Sequence, residues 1–283
     1  DAMSLARALV TQVHDSGARF IYALDDNLLE VHGPDAGANP QAAVVDYWLR
    51  AADGVLVTTE PLRKRLEALN PRIAVVPNAL DERLLPGAVR PRTRGDRVVI
   101  GYMGTLTHDA DLLMIVPALR EVCARHVGRV EIQLVGVAER RETLNALEGL
   151  PLRMVSPFPE EGEYPLFIVW LTHRLRWDIA LAPLVDTPFN ACKSDLKHLD
   201  YAAMGAAGIY SDVPAYAGMV RHGETGWLVP NDTAAWVETL ETLIAEPARR
   251  RALALAAADY LYGERVLARK AGVLVDALEG FLA

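Results

Sequence analysis

Short apolar segments alternate with helix-forming segments along nearly the whole chain, and this alternation restricts the possible folds more than any other feature. Segments such as IAVVPN (73–78) and DIALAPL (178–184) are rich in Val, Ile, Leu and Ala and carry few charges. Strands that are nearly continuous apolar runs are buried on both faces, which is typical of a parallel sheet covered by helices. The pattern therefore predicts an α/β fold with doubly wound parallel sheets.

The predicted elements fall into two groups, which a stretch rich in Pro, Gly and Arg at 86–97 separates as a predicted linker. Strands are predicted at 19–26, 54–59, 73–78, 98–104, 130–136, 152–156, 178–184, 206–211 and 227–229. Helices are predicted at 42–52, 60–69, 109–126, 140–147, 164–175, 195–204, 233–245 and, with a break, 247–282. We predict a first domain over 1–88, a second over 89–262 and a C-terminal helix over 263–283 that crosses back to the first domain.

Composition excludes some classes of function. A length of 283 residues and a hydrophobic content of 51% suit two domains with buried cores. The formal net charge of −8 argues against nucleic acid as a partner, because a phosphate backbone needs a basic surface. Cys123 and Cys192 make no disulfide framework, which favours a reducing cytoplasm. The apolar runs are shorter than the ~18 residues of a membrane span.

The segments near the two ends of the chain bear on targeting and on membrane contact. DAMSLARALVTQVHDSG (1–17) predicts an amphipathic helix and lacks the basic region and cleavage site of a signal peptide. Since the chain begins at Asp1 rather than Met, we expect it to be a piece of a longer protein. Arg249, Arg250 and Arg251 suit either an anionic membrane surface or solvent, and solvent is favoured. The predicted localisation is cytoplasmic, with contact at the inner membrane face as the less favoured variant.

The segment KSDLKHLDYAAMG (193–205) raises the clearest question about function. Ser194 is the predicted N-cap of a helix that ends at Gly205. Lys193 and Lys197 then lie just before and inside the first turn, where the helix dipole costs a cation roughly 0.3–1 kcal/mol. Either the lysines extend into solvent, or they add positive charge to a helix N-terminus that binds a diphosphate. The residues alone leave both interpretations open.

A second predicted helix start lies at the same edge of the sheet. In GYMGTLTHDADL (101–112), Gly104 permits close approach of a ligand, and the N–H groups of the following helix attract phosphate. His108 is placed to bond a phosphate or a sugar, and Asp200, one turn after Lys197, to accept from a ribose diol. The alternative is an ordinary glycine turn, with Asp200 acting only as an i,i+3 partner of Lys197.

These segments resemble those of retaining GT-B glycosyltransferases of the family 4-like group, also called glycosyl transferases group 1. The stretches that carry the resemblance are VVIGYMGTLTHDADL (98–112), the segment from DIALAPL to WLVP (178–230) and, more weakly, VLVTT to DERLL (55–85). The resemblance implies two Rossmann-like domains that face each other across a cleft. The second binds a nucleotide-sugar donor, and the first, which is incomplete in this chain, supplies the acceptor site.

The resemblance also implies site residues. Family members contact the donor through a Glu-x7-Glu pattern, in which Asp200 stands at the second, ribose-binding position and Cys192 at the first. The chain instead resembles a subgroup with KSDLK at this place and GTxTHxxDL after the first strand of the donor domain. The implied donor-binding residues are Gly104, Thr105, Lys193, Ser194, Lys197, Asp200 and Tyr216.

The implied catalytic residues are Asp25, Asp26 and His108. YALDDNLLE (22–30) resembles a strand whose end faces the family's cleft, where Asp25 and Asp26 bond acceptor hydroxyls or act as a base. The alternative is that both simply close the strand in an Asx-type turn. His108 lies beside the phosphate or the sugar.

The implied reaction is transfer of a sugar from a nucleotide-diphosphate sugar to a glycan or lipid-linked acceptor in cell-surface polysaccharide synthesis, with retention. No metal ligands stand at a suitable spacing, so neither a metal nor another cofactor is expected. A further domain or chain would complete the first domain. Two alternatives stay open: a nucleotide-sugar epimerase or hydrolase on the same fold, and a non-catalytic donor-binding or scaffold domain of a larger glycan polymerase.

Overall fold

The computed structural model describes residues 1–31, 41–89, 91, 97–105, 108–136 and 140–283, and half of the predicted linker at 86–97 lies outside them. The helices are α1 (Ala2–Asp15), α2 (Ala42–Ala51), α3 (Glu60–Leu66), α4 (Asp109–Arg125), α5 (Arg141–Leu147), α6 (Leu166–Arg174), α7 (Leu196–Met204), α8 (Thr233–Ala245), α9 (Pro247–Glu264) and α10 (Leu267–Leu282). The strands are β1 (Ile21–Leu24), β2 (Gly54–Val57), β3 (Ile73–Val75), β4 (Val98–Met103), β5 (Val130–Val135), β6 (Leu152–Val155), β7 (Ile179–Ala182), β8 (Ala207–Ser211) and β9 (Trp227–Val229). Every strand and helix predicted from the sequence is present, with ends that differ by a few residues.

The chain forms two compact units, and each is made of segments that are separate in sequence. Unit one comprises Asp1–Asn78, Thr187–Ser194 and Arg269–Ala283. Unit two comprises Ala79–Asp186 and Asp195–Ala268. Thr187–Ser194, which lie between β7 and α7, therefore belong to unit one, although both flanking elements belong to unit two. The domain bounds given above stay a prediction.

The described part of unit two is built on one parallel sheet with the strand order β6-β5-β4-β7-β8-β9. Strand β4 pairs with β5 on one side and with β7 on the other, where Ile100 lies opposite Ile179. Successive side chains of a strand point to opposite faces. Val99 and Met103 accordingly enter one apolar core, whereas Ile100 and Tyr102 enter the other.

Helices cover both faces of this sheet. Leu112 and Leu119 of α4 and Trp236 of α8 fill the core on the Ile100 face. Leu199 of α7 and Leu261 of α9 fill the core on the opposite face. Because both faces are covered, the strands carry few polar side chains, as their sequence indicated. The predicted doubly wound α/β class is confirmed.

Unit one is built on a parallel sheet with the order β1-β2-β3, in which Ile21 lies opposite Gly54. Its core combines residues of α2, β2 and α3, among them Leu49, Val55 and Leu62. The buried side-chain amide of Asn70 donates to the carbonyl oxygens of Leu49 and Ala52, each at 2.8 Å. This amide satisfies two carbonyl groups at the end of α2 that the helix leaves without an intrahelical partner.

The C-terminal part of α10 packs onto the sheet of unit one. The ring of Phe281 covers Gly54 so closely that a Cβ atom at this glycine would lie 2.4 Å from the ring. The guanidinium of Arg72 donates to the carbonyl oxygen of Phe281 at 2.8 Å. Strand β2 therefore begins with glycine because an aromatic ring occupies the space of a side chain.

Candidate functional site

The sheet of unit two has a topological switch point between β4 and β7. From β4 the chain continues to β5 and β6 on one side, whereas β7, β8 and β9 follow on the other. Ligands of open α/β sheets bind at such a point, beyond the carboxyl ends of the strands. Helix α4 starts after β4, and α7 is the helix that follows β7. The two helix starts chosen from the sequence therefore lie at the expected place in the sheet.

The start of α4 is shaped by a close backbone approach. The N–H of Gly104 donates to the carbonyl of Val135 at 3.0 Å, and a Cβ atom at Gly136 would lie 2.5 Å from the carbonyl oxygen of Gly104. Gly136 has a φ of 73°, a conformation that favours glycine. The N–H of His108 then donates to the carbonyl of Thr105 at 3.0 Å. Thr107 of the GTxTHxxDL motif lies outside the described residues.

His108 is buried at the N-cap position of α4 and is held by Asp111. The His108 Nδ1 atom lies 2.6 Å from Oδ2 of Asp111. The other carboxylate oxygen of Asp111 accepts from the backbone N–H of Val185, in the segment after β7, at 2.7 Å. Both side chains are buried, with Asp111 only 3% exposed. The site thus contains a buried carboxylate that the sequence analysis did not select.

Lys197 approaches His108 from α7. Its Nζ atom lies 3.5 Å from Nε2 of His108, and 5.9 Å from the centre of the Tyr102 ring. Lys197 is the second residue of α7, so its charge adds to the positive end of the helix dipole. The structure thus brings two of the predicted site residues, His108 and Lys197, into contact.

The N-cap predicted for α7 was wrong. Ser194 does not cap the helix; its Oγ atom accepts from the side-chain amide of Asn78 at 2.8 Å, within unit one. Asp195 occupies the N-cap position without a side-chain capping bond. Its carboxylate instead binds the guanidinium of Arg265 through two hydrogen bonds, of 2.7 and 2.8 Å. Arg265 therefore neutralises Asp195, and this acid is not the partner of Lys197.

Asp200 is buried one turn further along α7. The hydroxyl of Tyr164 donates to its Oδ1 atom at 2.7 Å. Burial raises the pKa of the Asp200 carboxyl to about 7, against the opposing effects of the Tyr164 hydrogen bond and the charge of Lys197. The carboxyl can therefore gain or lose a proton near neutral pH.

Tyr216 lies in the hydrophobic core of unit two. It is 2% exposed, and its ring centre lies 5.1 Å from that of Tyr210. Burial raises the pKa of the Tyr216 phenol, and the charges of Asp111 and Asp195 raise it further. Its predicted contact with the donor stays a prediction.

In unit one, the predicted residues Asp26 and Lys193 form an ion pair. Lys193 Nζ lies 3.3 Å from Oδ2 of Asp26 and 4.7 Å from the centre of the Phe189 ring. Asp25 is exposed just after β1, and its carbonyl oxygen accepts from the hydroxyl of Thr58 at 3.2 Å. Lys193 thus has a counter-charge within this unit, and its predicted contact with the donor stays a prediction.

An open cleft lies at the carboxyl ends of the strands of unit one. Its volume is about 330 Å³, within the roughly 300–1,000 Å³ that small-molecule sites occupy. Leu56 and Leu274 give it apolar walls, and Asp25 and Thr58 bring polar groups to it. Asp25, chosen from the sequence as a catalytic candidate, thus lines a cleft.

Asp111 and Tyr164 are among the residues of these clusters that sequence reasoning did not select. Asp111 is the Asp of the GTxTHxxDL motif, three residues after His108 at a helix start, and this spacing was a usable signal. Tyr164 precedes α6 and reaches Asp200 across 36 positions, a distance for which no local pattern exists.

Residues 97–246 match the family model described as Glycosyl transferases group 1. The match covers more than half of the chain and includes both helix starts of the site. The chain belongs to the glycosyl transferases group 1 family. Membership confirms the resemblance at the level of the family, whereas the subgroup motifs stay predictions. No curated protein sequence matches the chain.

Solved structures of similar fold include three proteins from bacteria. HepE from Anabaena has a TM-score of 0.70 and 13% identity, over 98% of this chain and 76% of HepE. Sucrose-phosphate synthase from Thermosynechococcus elongatus has a TM-score of 0.69 and 17% identity, over 96% and 70% of the two chains. TarM from S. aureus has a TM-score of 0.67 and 13% identity, over 94% and 51%. The predicted GT-B fold class is confirmed, and this group 1 chain spans about half the length of TarM.

Two further findings concern the described part of this group 1 chain. None of its helices is long and apolar enough to cross a membrane. No three His, Cys, Asp or Glu side chains in it are grouped so that they could hold a metal ion. Of the arginines considered for membrane contact, Arg249 pairs with Glu246 at 2.9 Å and Arg250 donates to the carbonyl of Ile244 at 3.0 Å. Arg250 thus donates to a carbonyl group at the C-terminal end of α8.

Proposed function

We propose that the chain is a glycosyltransferase that takes a sugar from a nucleoside-diphosphate sugar bound beside Lys197 and His108 in unit two. The acceptor is a glycan or a lipid-linked sugar. The observation that carries the proposal is the contact between Lys197 and His108 at the switch point of the sheet, in a chain of the group 1 family. HepE was solved with UDP-glucose, and TarM with UDP and α-GlcNAc-glycerol, which supports this class of donor.

In the proposed reaction, the charge of the departing diphosphate is stabilised by the start of α7. Lys197 supplies an ammonium group, and the first turn supplies backbone N–H groups and the positive end of the dipole. The first turn of α4 carries Asp109 and Asp111, so α7 is the better end for an anion. Asp200 accepts hydrogen bonds from the ribose, and His108 lies beside the sugar. Retention, independence of metal and a role in cell-surface polysaccharide synthesis belong to the proposal.

The acceptor is proposed to bind in the cleft of unit one. Asp25 is exposed there, and its carboxylate suits a sugar hydroxyl as acceptor or general base. Asp26 already pairs with Lys193 at 3.3 Å, so its carboxylate is less available to a sugar hydroxyl. Within the pair chosen from the sequence, the base is therefore assigned to Asp25.

Calorimetric titration with UDP, GDP, dTDP and their common sugars tests the donor site. One nucleotide should bind selectively to the wild type, and Lys197→Ala should weaken it by about ten- to a hundredfold, as for a charged hydrogen bond of roughly 1.5–3 kcal/mol. Lys64→Ala is the matched control, since Lys64 is exposed on α3 in unit one. An unchanged affinity in Lys197→Ala would overturn the assignment of the site.

Product analysis then separates the proposed activity from its alternatives. A transferase forms a new glycoside only when acceptor is present. A hydrolase or epimerase converts the nucleotide sugar without acceptor, and a donor-binding scaffold domain binds the nucleotide but forms no product in either mixture.

A further inference from the structure

Asp111 holds two groups at the switch point at once. One oxygen of its carboxylate lies 2.6 Å from Nδ1 of His108, and the other accepts from the N–H of Val185 at 2.7 Å. The first partner belongs to the start of α4 and the second to the segment after β7. A buried carboxylate with both oxygens engaged has a fixed orientation, and its partners are fixed with it.

This arrangement determines which nitrogen of His108 carries the ring proton. A carboxylate only accepts hydrogen bonds, so the nitrogen that faces Asp111 must be the donor, Nδ1–H. The neutral ring then has its lone pair at Nε2, the atom 3.5 Å from Lys197 Nζ. An ammonium group only donates. The three side chains therefore form a chain of donors and acceptors. The ammonium of Lys197 donates towards Nε2 of His108, and Nδ1–H of His108 donates to the carboxylate of Asp111.

We infer that Asp111 is a positioning residue, which fixes the Nδ1–H tautomer of His108 and, through that ring, the ammonium group of Lys197. The inference rests on the proposed function for the role of Lys197 at the donor diphosphate. It adds to that function a residue that touches no substrate. With the opposite tautomer, Nε2–H would point at the ammonium and repel it.

Asp111→Asn tests the inference because an asparagine offers only one acceptor oxygen. That oxygen keeps the bond to the N–H of Val185, so the amide NH2 turns to His108 Nδ1, and the ring proton moves to Nε2. Asp109→Asn is the matched control. Asp109 lies in the same helix turn, is 5% exposed and pairs with Arg140 at 3.1 Å.

Nitrogen-15 NMR of histidine-labelled protein reports the tautomer of each ring, and His108→Gln assigns the signal. We expect Nδ1–H in the wild type and in Asp109→Asn, and Nε2–H in Asp111→Asn. A wild-type ring in the Nε2–H form, or an Asp111→Asn ring that keeps the wild-type form, overturns the inference. If Asp111→Asn does not fold, the wild-type spectrum still tests the inference, because an Nε2–H ring of His108 overturns it.

Nucleotide titration tests the connection to Lys197. Asp111→Asn should weaken binding by tenfold or more, and Asp111→Asn with Lys197→Ala should bind no more weakly than Lys197→Ala alone. Additive losses in the double variant would show that Asp111 does not act through Lys197. If no nucleotide binds to the wild type, the proposed function fails, and the tautomer spectra still decide the role of Asp111.

Discussion

Arg265→Met should destabilise unit two strongly, and the loss should depend on pH. Asp195 and Arg265 are each 3% exposed and are joined by two hydrogen bonds, of 2.7 and 2.8 Å. Arg265 also donates to the hydroxyl of Tyr260 at 2.7 Å. Removing one partner of a buried ion pair leaves the other charge uncompensated, which typically costs about 3–5 kcal/mol. We expect a loss of this size at pH 7.5, measured by urea unfolding with tryptophan fluorescence.

The sign of the pH dependence follows from Asp195. Burial raises the pKa of this carboxyl, but the two hydrogen bonds from Arg265 and the nearby His198, whose Nδ1 lies 3.8 Å from Oδ2, outweigh it, and the pKa lies below its ordinary value of 3.8. In the wild type, Asp195 therefore contributes stability above pH ~4, which is lost as the pH falls through its folded-state pKa. Without Arg265 the Asp195 carboxyl takes up a proton at higher pH. Because the protonated carboxyl is neutral, no uncompensated charge then remains buried.

The cost of Arg265→Met should therefore shrink between pH 7.5 and pH 4.5. Asp195→Asn combined with Arg265→Met should recover part of the loss at pH 7.5, because no buried charge remains. A cost below about 1 kcal/mol, or a cost equal at the two pH values, would refute the reasoning. Fluorescence reports mainly on unit two, since Trp48 is the single tryptophan of unit one.

Two further substitutions test the buried polar groups. Because burial raises the pKa of Asp200 from 3.8 to about 7, its stabilising contribution is complete below pH ~4 and lost as the pH rises through ~7. Between pH 4 and 8, the free energy of unfolding of the wild type should thus fall by up to about 4 kcal/mol relative to that of Asp200→Asn. If urea unfolding gives the same pH dependence of this free energy for both proteins, the prediction is contradicted. Asn70→Ala should cost unit one about 2–4 kcal/mol, because two carbonyl groups lose a buried donor. Hydrogen exchange measures this loss, with the exposed Asn145→Ala as a control expected to change stability by less than ~0.5 kcal/mol.

The sequence was sufficient for the elements and for where the two selected helix starts lie in the sheet. Apolar runs such as 179–182 have no polar positions, so they indicate a strand covered on both faces, and the structure has them buried. The starts of α4 and α7 were recognisable from Gly104, His108 and the lysines. Parallel strands bring their carboxyl ends to one edge, so no further information was needed to place these segments together in the sheet.

The sequence was insufficient for the partners of the charged groups. Lys193 and Lys197 stand four positions apart and carry the same charge, yet one pairs with Asp26 in unit one and the other lies beside His108 in unit two. The N-cap of α7 was misassigned because Asn78, 116 positions away, binds the hydroxyl of Ser194. Each of these partners is set by long-range packing, which helical and strand periodicity do not encode.

Unit one is assembled from three segments that are separate in sequence, and this has a consequence for its folding during synthesis on the ribosome. The first segment of the unit emerges early, but its core includes Cys192, and Phe281 covers Gly54. Neither contact exists until those residues have left the exit tunnel. Unit two is complete at Ala268, before Phe281 is translated. Translation of unit one therefore starts before that of unit two but ends after it. Until α10 has been translated, Gly54 at the start of the central strand β2 lacks the ring that covers it in the folded unit.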